Sequence, residues 1–139
     1  MTGMQYNCTI ARSGTMYLVV FPDMPNVRTF GDTKAEALAN AADALNGCLA
    51  ADVARGMLPP KPAYHGKGSY GIDVLPHIVV AIQLRQLRGE KSQTEIANRL
   101  AITYQSYQKL ENPVKGNPTV KSLERVARAM GKKLIIEFA

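Results

Sequence analysis

The hydrophobic positions change period along the chain. Tyr6-Asn7-Cys8-Thr9-Ile10 alternates apolar with polar, the period of a half-buried strand. Ser13-Gly14-Thr15 is turn chemistry, and Met16 to Phe21 is a second, richer strand, so residues 5–21 read as a hairpin. Pro22 to Asn26 is a loop, and Val27-Arg28-Thr29-Phe30 is a third strand ended by Gly31. The period then becomes helical. Asp32 or Thr33 caps a long helix, and Thr33 with Glu36 has the spacing of a capping box. Leu38, Ala41, Ala42, Leu45, Cys48 and Leu49 make its apolar stripe. Gly47 inside that helix costs about 1 kcal/mol relative to Ala and is expected to allow close backbone packing. Gly56 is the natural stop. Residues 57–68, with three prolines and two glycines, form a loop, and Tyr70 to Val74 is a short fourth strand.

The second half is helical. Pro76 suits a first helical turn, Ile78, Val79, Ile82 and Leu87 supply the buried side, and Gly89 ends that helix. Ser92 and Glu95 form another capping box, followed by inward Ile96, Ala97 and Leu100. After Ala101-Ile102, Thr103 caps a helix with Tyr107 and Leu110 inward and Tyr104, Gln105, Ser106, Gln108 and Lys109 outward. Such polar side chains can hydrogen-bond base edges and phosphates in a major groove. Thr119 caps a last helix with Val120, Leu123, Val126, Ala127 and Met130 inward, and Gly131 ends it. Lys133 to Phe138 alternates again and is expected to be a strand. The class is α+β: a β-β-β-α-β domain over residues 1–75, then an all-α domain over 76–139 with a C-terminal strand.

Charge sharpens the division. The chain has 139 residues and a formal net charge of +6. Residues 1–75 carry six bases and six acids, whereas 76–139 carry eleven bases and five acids, so the whole excess lies in the helical half. That placement suits phosphate attraction. Apolar content of 46% supports a packed core, and no apolar run reaches the length of a membrane span. The start of the chain has no basic segment followed by an apolar one, so a cytoplasmic protein is expected. Cys8 and Cys48 are too few for a disulfide framework or a zinc site and are expected as reduced core residues.

The stretch Ser92–Gly131 resembles the Cro/C1-type helix-turn-helix, through Gln93-Thr94-Glu95-Ile96-Ala97, Leu100-Ala101-Ile102-Thr103, Lys109-Leu110-Glu111-Asn112 and Asn117-Pro118-Thr119. The resemblance implies that Gln93 clamps a phosphate and that Tyr104, Gln105, Ser106 and Gln108 face bases. Thr94, Thr103, Lys109, Asn112 and Lys115 complete the expected DNA-binding set. Ala101 stands where this turn usually takes Gly, and a positive φ there would cost about 1 kcal/mol or more.

The segment Phe21-Pro22-Asp23-Met24-Pro25-Asn26-Val27-Arg28-Thr29-Phe30-Gly31-Asp32-Thr33-Lys34-Ala35-Glu36-Ala37 resembles the HicB family of antitoxins. That resemblance implies a reduced RNase H-like domain and a partner, a small basic RNA-cleaving toxin of the HicA type, blocked by the antitoxin. It also implies repression of the antitoxin's own operon. Asp23, Asp32, Glu36 and Asp43 are the candidate toxin contacts, because a partner that grips RNA is expected to be basic.

Nuclease chemistry would need a carboxylate cluster for divalent metal, and the first two strands contain no Asp or Glu. His65 and His77 have no Cys or Asp at ligand spacing and are expected to face solvent. A non-enzymatic binding protein without metal or cofactor follows. The alternative is a free-standing dimeric repressor whose first domain senses a ligand, although that domain has no Gly-rich phosphate loop. A lone strand leaves its backbone unpaired beside apolar side chains. Leu134, Ile135, Ile136 and Phe138 are therefore expected to pair two copies into a homodimer or higher oligomer on double-stranded operator DNA. Pairing within the same chain is the competing reading.

Overall fold

The computed structural model describes residues 3–139. Four strands, β1 (Gln5–Ser13), β2 (Met16–Val20), β3 (Arg28–Gly31) and β4 (Tyr70–Asp73), form one antiparallel sheet in the order β3-β2-β1-β4. The expected β-β-β-α-β order is present. Helix α1 (Lys34–Ala54) covers one face of this sheet. Its buried apolar residues, Ala37, Ala41, Leu45, Leu49 and Val53, recur every four residues and share a core with Tyr6, Cys8 and Val19 from the strands and Phe21 just past β2; Asn46 is buried beside them. Thr33 is its cap: the hydroxyl accepts from the Glu36 amide at 3.1 Å.

The helical half comprises α2 (Pro76–Arg88), α3 (Gln93–Leu100), α4 (Tyr104–Leu110) and α5 (Val120–Ala129). Its own core is Leu84, Ile96, Ala97, Leu100, Tyr107 and Val126. Helix α2 serves both cores: Ile78, Ala81 and Ile82 pack with the sheet and α1, and Leu84 packs with the helices. One continuous helix therefore contributes to both cores. The buried side chain of Asn46 secures the entry to α2. Its amide donates to the carbonyls of Ala42 and Asp73, both at 3.0 Å, and its Oδ1 accepts from the Leu75 amide at 2.8 Å.

Several expectations are corrected. Gly47 is exposed, and a Cβ there would meet nothing within 4 Å, so no close packing needs it. Val120 is 60% exposed rather than inward, because α5 buries Val126 and Ala127 and turns its first residue to solvent. The hydroxyls of Thr33 and Ser92 cap their helices, but the complete reciprocal box is the one between Thr119 and Ser122. The Glu95 carboxylate instead meets Arg99 one turn on, at 3.3 Å. Residues 132–139 carry no secondary structure, so the C-terminal strand is not formed in the single chain. A strand exists only through its ladder, and among the described residues no strand lies beyond Asp73 to supply one. The competing idea, that this segment extends the N-terminal sheet, is not realised either, since that sheet has four strands.

Candidate nucleic-acid interface and partner-facing surface

Short-range chemistry builds the helix-turn-helix. Ser92 Oγ accepts from the Glu95 amide at 3.0 Å and starts α3. Ala101 ends it in the left-handed region, with φ 55° and ψ 42°, the single positive-φ residue other than Gly among the described residues. The Ile102 amide returns to the Ala97 carbonyl at 3.1 Å and closes the turn. Thr103 then caps α4, accepting from the Ser106 amide at 3.1 Å and sharing a 2.9 Å hydrogen bond with the Ser106 hydroxyl. Both hydroxyls are exposed, and both already have a structural task.

Helix α4 is two-faced. Tyr107 is 1% exposed and anchors the inner side, while Tyr104, Gln105, Ser106, Gln108 and Lys109 are all exposed. Gln108 Nε2 donates to the Tyr104 hydroxyl at 3.4 Å, a long contact that places the two on one side. Asn112 Oδ1 accepts from the amides of Val114 and Lys115 at 3.0 and 3.1 Å and so shapes the following loop; the Lys115 side chain is exposed. Thr94 is exposed at the start of α3, whereas Gln93 is half-buried, its Nε2 donating to Glu111 Oε1 at 3.2 Å.

That Glu111 is the centre of a buried network that the sequence pattern did not single out. Arg88 donates to it twice, Nε to Oε2 at 2.7 Å and Nη2 to Oε1 at 3.1 Å, with the two side chains only 12% and 5% exposed. Arg88 Nη1 also donates to the Lys91 carbonyl at 2.6 Å. Burial by itself would raise the Glu111 carboxyl. Hydrogen bonding from Arg88, Tyr107 and Gln93 outweighs it and holds the group below the ordinary carboxylate range. The same bonding with Glu111 raises Arg88. Desolvation, then the hydrogen-bonding neighbour Glu111, push the Tyr107 phenol well above its usual range. A signal for Glu111 did exist: it stands four residues after inward Tyr107, on the same helical side.

The candidate toxin-facing acids divide. Asp32, just before the Thr33 cap, and Glu36 and Asp43, in the first half of α1, are exposed. Asp23 is a loop anchor: its Oδ2 accepts from the amides of Ala63 and Tyr64, both at 2.9 Å. Those backbone hydrogen bonds hold its carboxyl below the usual range. His65 and His77 are exposed, and no group of three or more His, Cys, Asp or Glu side chains is placed to share a metal among the described residues. Cys8 is buried and Cys48 half-buried, both as thiols. Among the described residues no helix is long and apolar enough to cross a membrane. At the C-terminus Leu134 is half-buried, while Ile135, Ile136 and Phe138 are 73%, 56% and 100% exposed. Leu134 and Ile135 border an apolar groove with Val80, Leu84, Leu87 and Leu123.

Comparison with known proteins agrees with this geometry. Residues 5–82 match the family described as HicB-like antitoxin of bacterial toxin-antitoxin system. Residues 83–135 match the helix-turn-helix family of the Cro/C1 type. Antitoxin HicB 1 of Photorhabdus laumondii is 28% identical over 122 residues, which is 88% of this chain and 78% of that protein. The boundary between the matches falls inside α2, the helix shared by both cores. With its N-terminal match covering more than half of its length, the chain belongs to the HicB-like antitoxin family, with a helix-turn-helix domain following the antitoxin domain.

Proposed function

We propose that the protein is the antitoxin of a type II pair: residues 1–75 bind and block a small basic RNA-cleaving toxin of the HicA type, and residues 76–139 bind operator DNA and repress the shared operon. The observation that carries the DNA half is α4, whose inner face is fixed by buried Tyr107 while Tyr104, Gln105, Ser106, Gln108 and Lys109 stand outward. A helix held so firmly by one face can present the other to a major groove without further ordering. The protein acts in the cytoplasm, as a binding protein rather than a catalyst. It acts as a homodimer or higher oligomer, with Leu134, Ile135, Ile136 and Phe138 supplying the contact between copies. The exposed Ile135, Ile136 and Phe138 on a segment without secondary structure support that assignment.

Replacing Gln105 and Gln108 together by Ala tests the DNA half. Each good base pairing lost removes about 1–3 kcal/mol of discrimination. A gel-shift titration against DNA lying upstream of the coding sequence is expected to show the preference over a scrambled duplex collapse while toxin binding persists. Retained affinity and selectivity would remove α4 as the reading helix.

Asp32, Glu36 and Asp43 are the assigned toxin contacts, since they alone of the four acids lack a loop amide to satisfy. Glu36→Lys with Asp43→Lys is expected to slow association with the toxin on the order of tenfold at low salt and to flatten its salt dependence. Stopped-flow mixing measures this. Wild-type rates would return both residues to a solvated helix surface.

A further inference from the structure

The end of α1 and the reading face of the helix-turn-helix enclose a cleft of about 550 Å³. Arg55 and Met57 stand on the side of the first domain, and Thr94, Tyr104, Gln108 and Asn112 on the other. A water molecule takes about 30 Å³ of liquid, so the cleft has room for much more than one small anion. Its lining contains three arginines, Arg55, Arg85 and Arg88, against one carboxylate, Glu111. Arg88 is committed to that carboxylate, and Arg85 donates to the Gly89 carbonyl at the end of α2, at 3.0 Å. Arg55 differs: its side chain is 65% exposed. Its ion-pair partner Asp52, one turn back on α1, lies outside the lining.

We propose that this cleft seats the phosphodiester backbone of the operator beside the half-site read by α4, with Arg55 as a DNA contact supplied by the antitoxin domain. The inference rests on the DNA-binding reading above and deepens it. A duplex engaged by Tyr104 and Gln108 would pass its flanking phosphates before the start of α3, and Arg55 lines the same cleft as Ser92, Gln93 and Thr94 of that start. A guanidinium matches phosphate geometry, and an exposed one loses little hydration on engaging it. The contact is sequence-blind, so it contributes affinity and register without choosing bases. Because α1 is about 30 Å long, one rigid helix joins Arg55 to the acids near its start, and both partners touch the same element.

The test uses the full chain, with fluorescence anisotropy against two labelled duplexes, the upstream DNA and a scrambled sequence of equal composition. Salt is varied from about 50 to 200 mM. Arg55→Ala is expected to weaken both duplexes by the same factor. Its slope of log affinity against log salt falls by about 0.9 per protomer, so across that roughly fourfold range its affinity drops roughly three- to fourfold less than that of wild type for each protomer bound, on the order of tenfold less for a dimer. Arg55→Lys restores most of the slope, and an unchanged melting temperature shows the fold intact. A wild-type slope in Arg55→Ala overturns the contact. Tighter binding by Arg55→Ala overturns it too, since residues 53–57 would then be shielding the reading face. If the wild-type chain shows no preference for the upstream duplex, the DNA-binding reading fails as a whole, and the contact with it.

Discussion

Glu111→Ala is expected to destabilise the helical half by about 3–5 kcal/mol, the cost of leaving one member of a buried ion pair without its partner. Arg88 has only 12% of its side chain in water and two of its hydrogen bonds end on Glu111. Gln93 loses its acceptor as well, so the start of α3 loosens along with the junction of α2 and α4. Urea unfolding followed by helical circular dichroism measures the loss. A change under about 1 kcal/mol would mean that water reaches Arg88 easily, as at an ordinary surface pair. The sign of the pH dependence follows from the same contacts. The Glu111 carboxyl is lower in the folded chain than in the unfolded one. Its stabilisation is therefore complete above the ordinary carboxylate value of about 4.3 and is lost as pH falls through the folded value. The acid limb of the stability curve should flatten in Glu111→Gln, whose side chain does not titrate.

Gly31→Ala has the second large effect, in the other domain. A Cβ at residue 31 would lie 2.5 Å from the Ala37 amide nitrogen and 2.9 Å from both Ala37 Cα and the Glu36 carbonyl carbon. All three are backbone atoms of the first turn of α1, which cannot rotate aside as a side chain can. The helix must shift off the sheet edge, at a cost of about 1–3 kcal/mol or more for overpacking a buried site. The reason is steric, not conformational: Gly31 does not have the positive φ that marks Gly56 and Gly131. Thermal melting compared with wild type reads the effect. An unmoved melting temperature would show that β3 and α1 can separate without loss.

Much of the architecture was legible because it is decided between near neighbours. Thr33, Ser92, Thr103 and Thr119 each cap the helix that follows, and each accepts from an amide three residues on. Gly56, Gly89 and Gly131 each carry a positive φ just past a helix end. Ala101 takes the left-handed conformation that the spacing of the turn demanded, against its own preference. The outward set on α4 follows from a period of 3.6 around Tyr107. The failures were also local rules applied too far. Val120 fits the apolar period of α5 but lies at its first position, beyond the packed region. Gly47 suggested a close approach to a neighbour that is not there.

The sequence by itself therefore determined the order of the elements, their ends and their inward faces, because caps, turns and periods depend on residues within about four positions of one another. Only the tertiary structure decided the features that join distant residues. Arg88 and Glu111 are 23 apart, Asn46 and Leu75 are 29 apart, and Asp23 reaches across 41 residues to Tyr64. Arg55 comes to line one cleft with Tyr104 and Gln108 of α4 from a half whose charge sums to zero, and no pattern around it announces that placement. Residues 133–138 show the same division from the opposite side. Their alternation is a property of the sequence, but a strand is a property of a pair, and the single chain does not supply the second member.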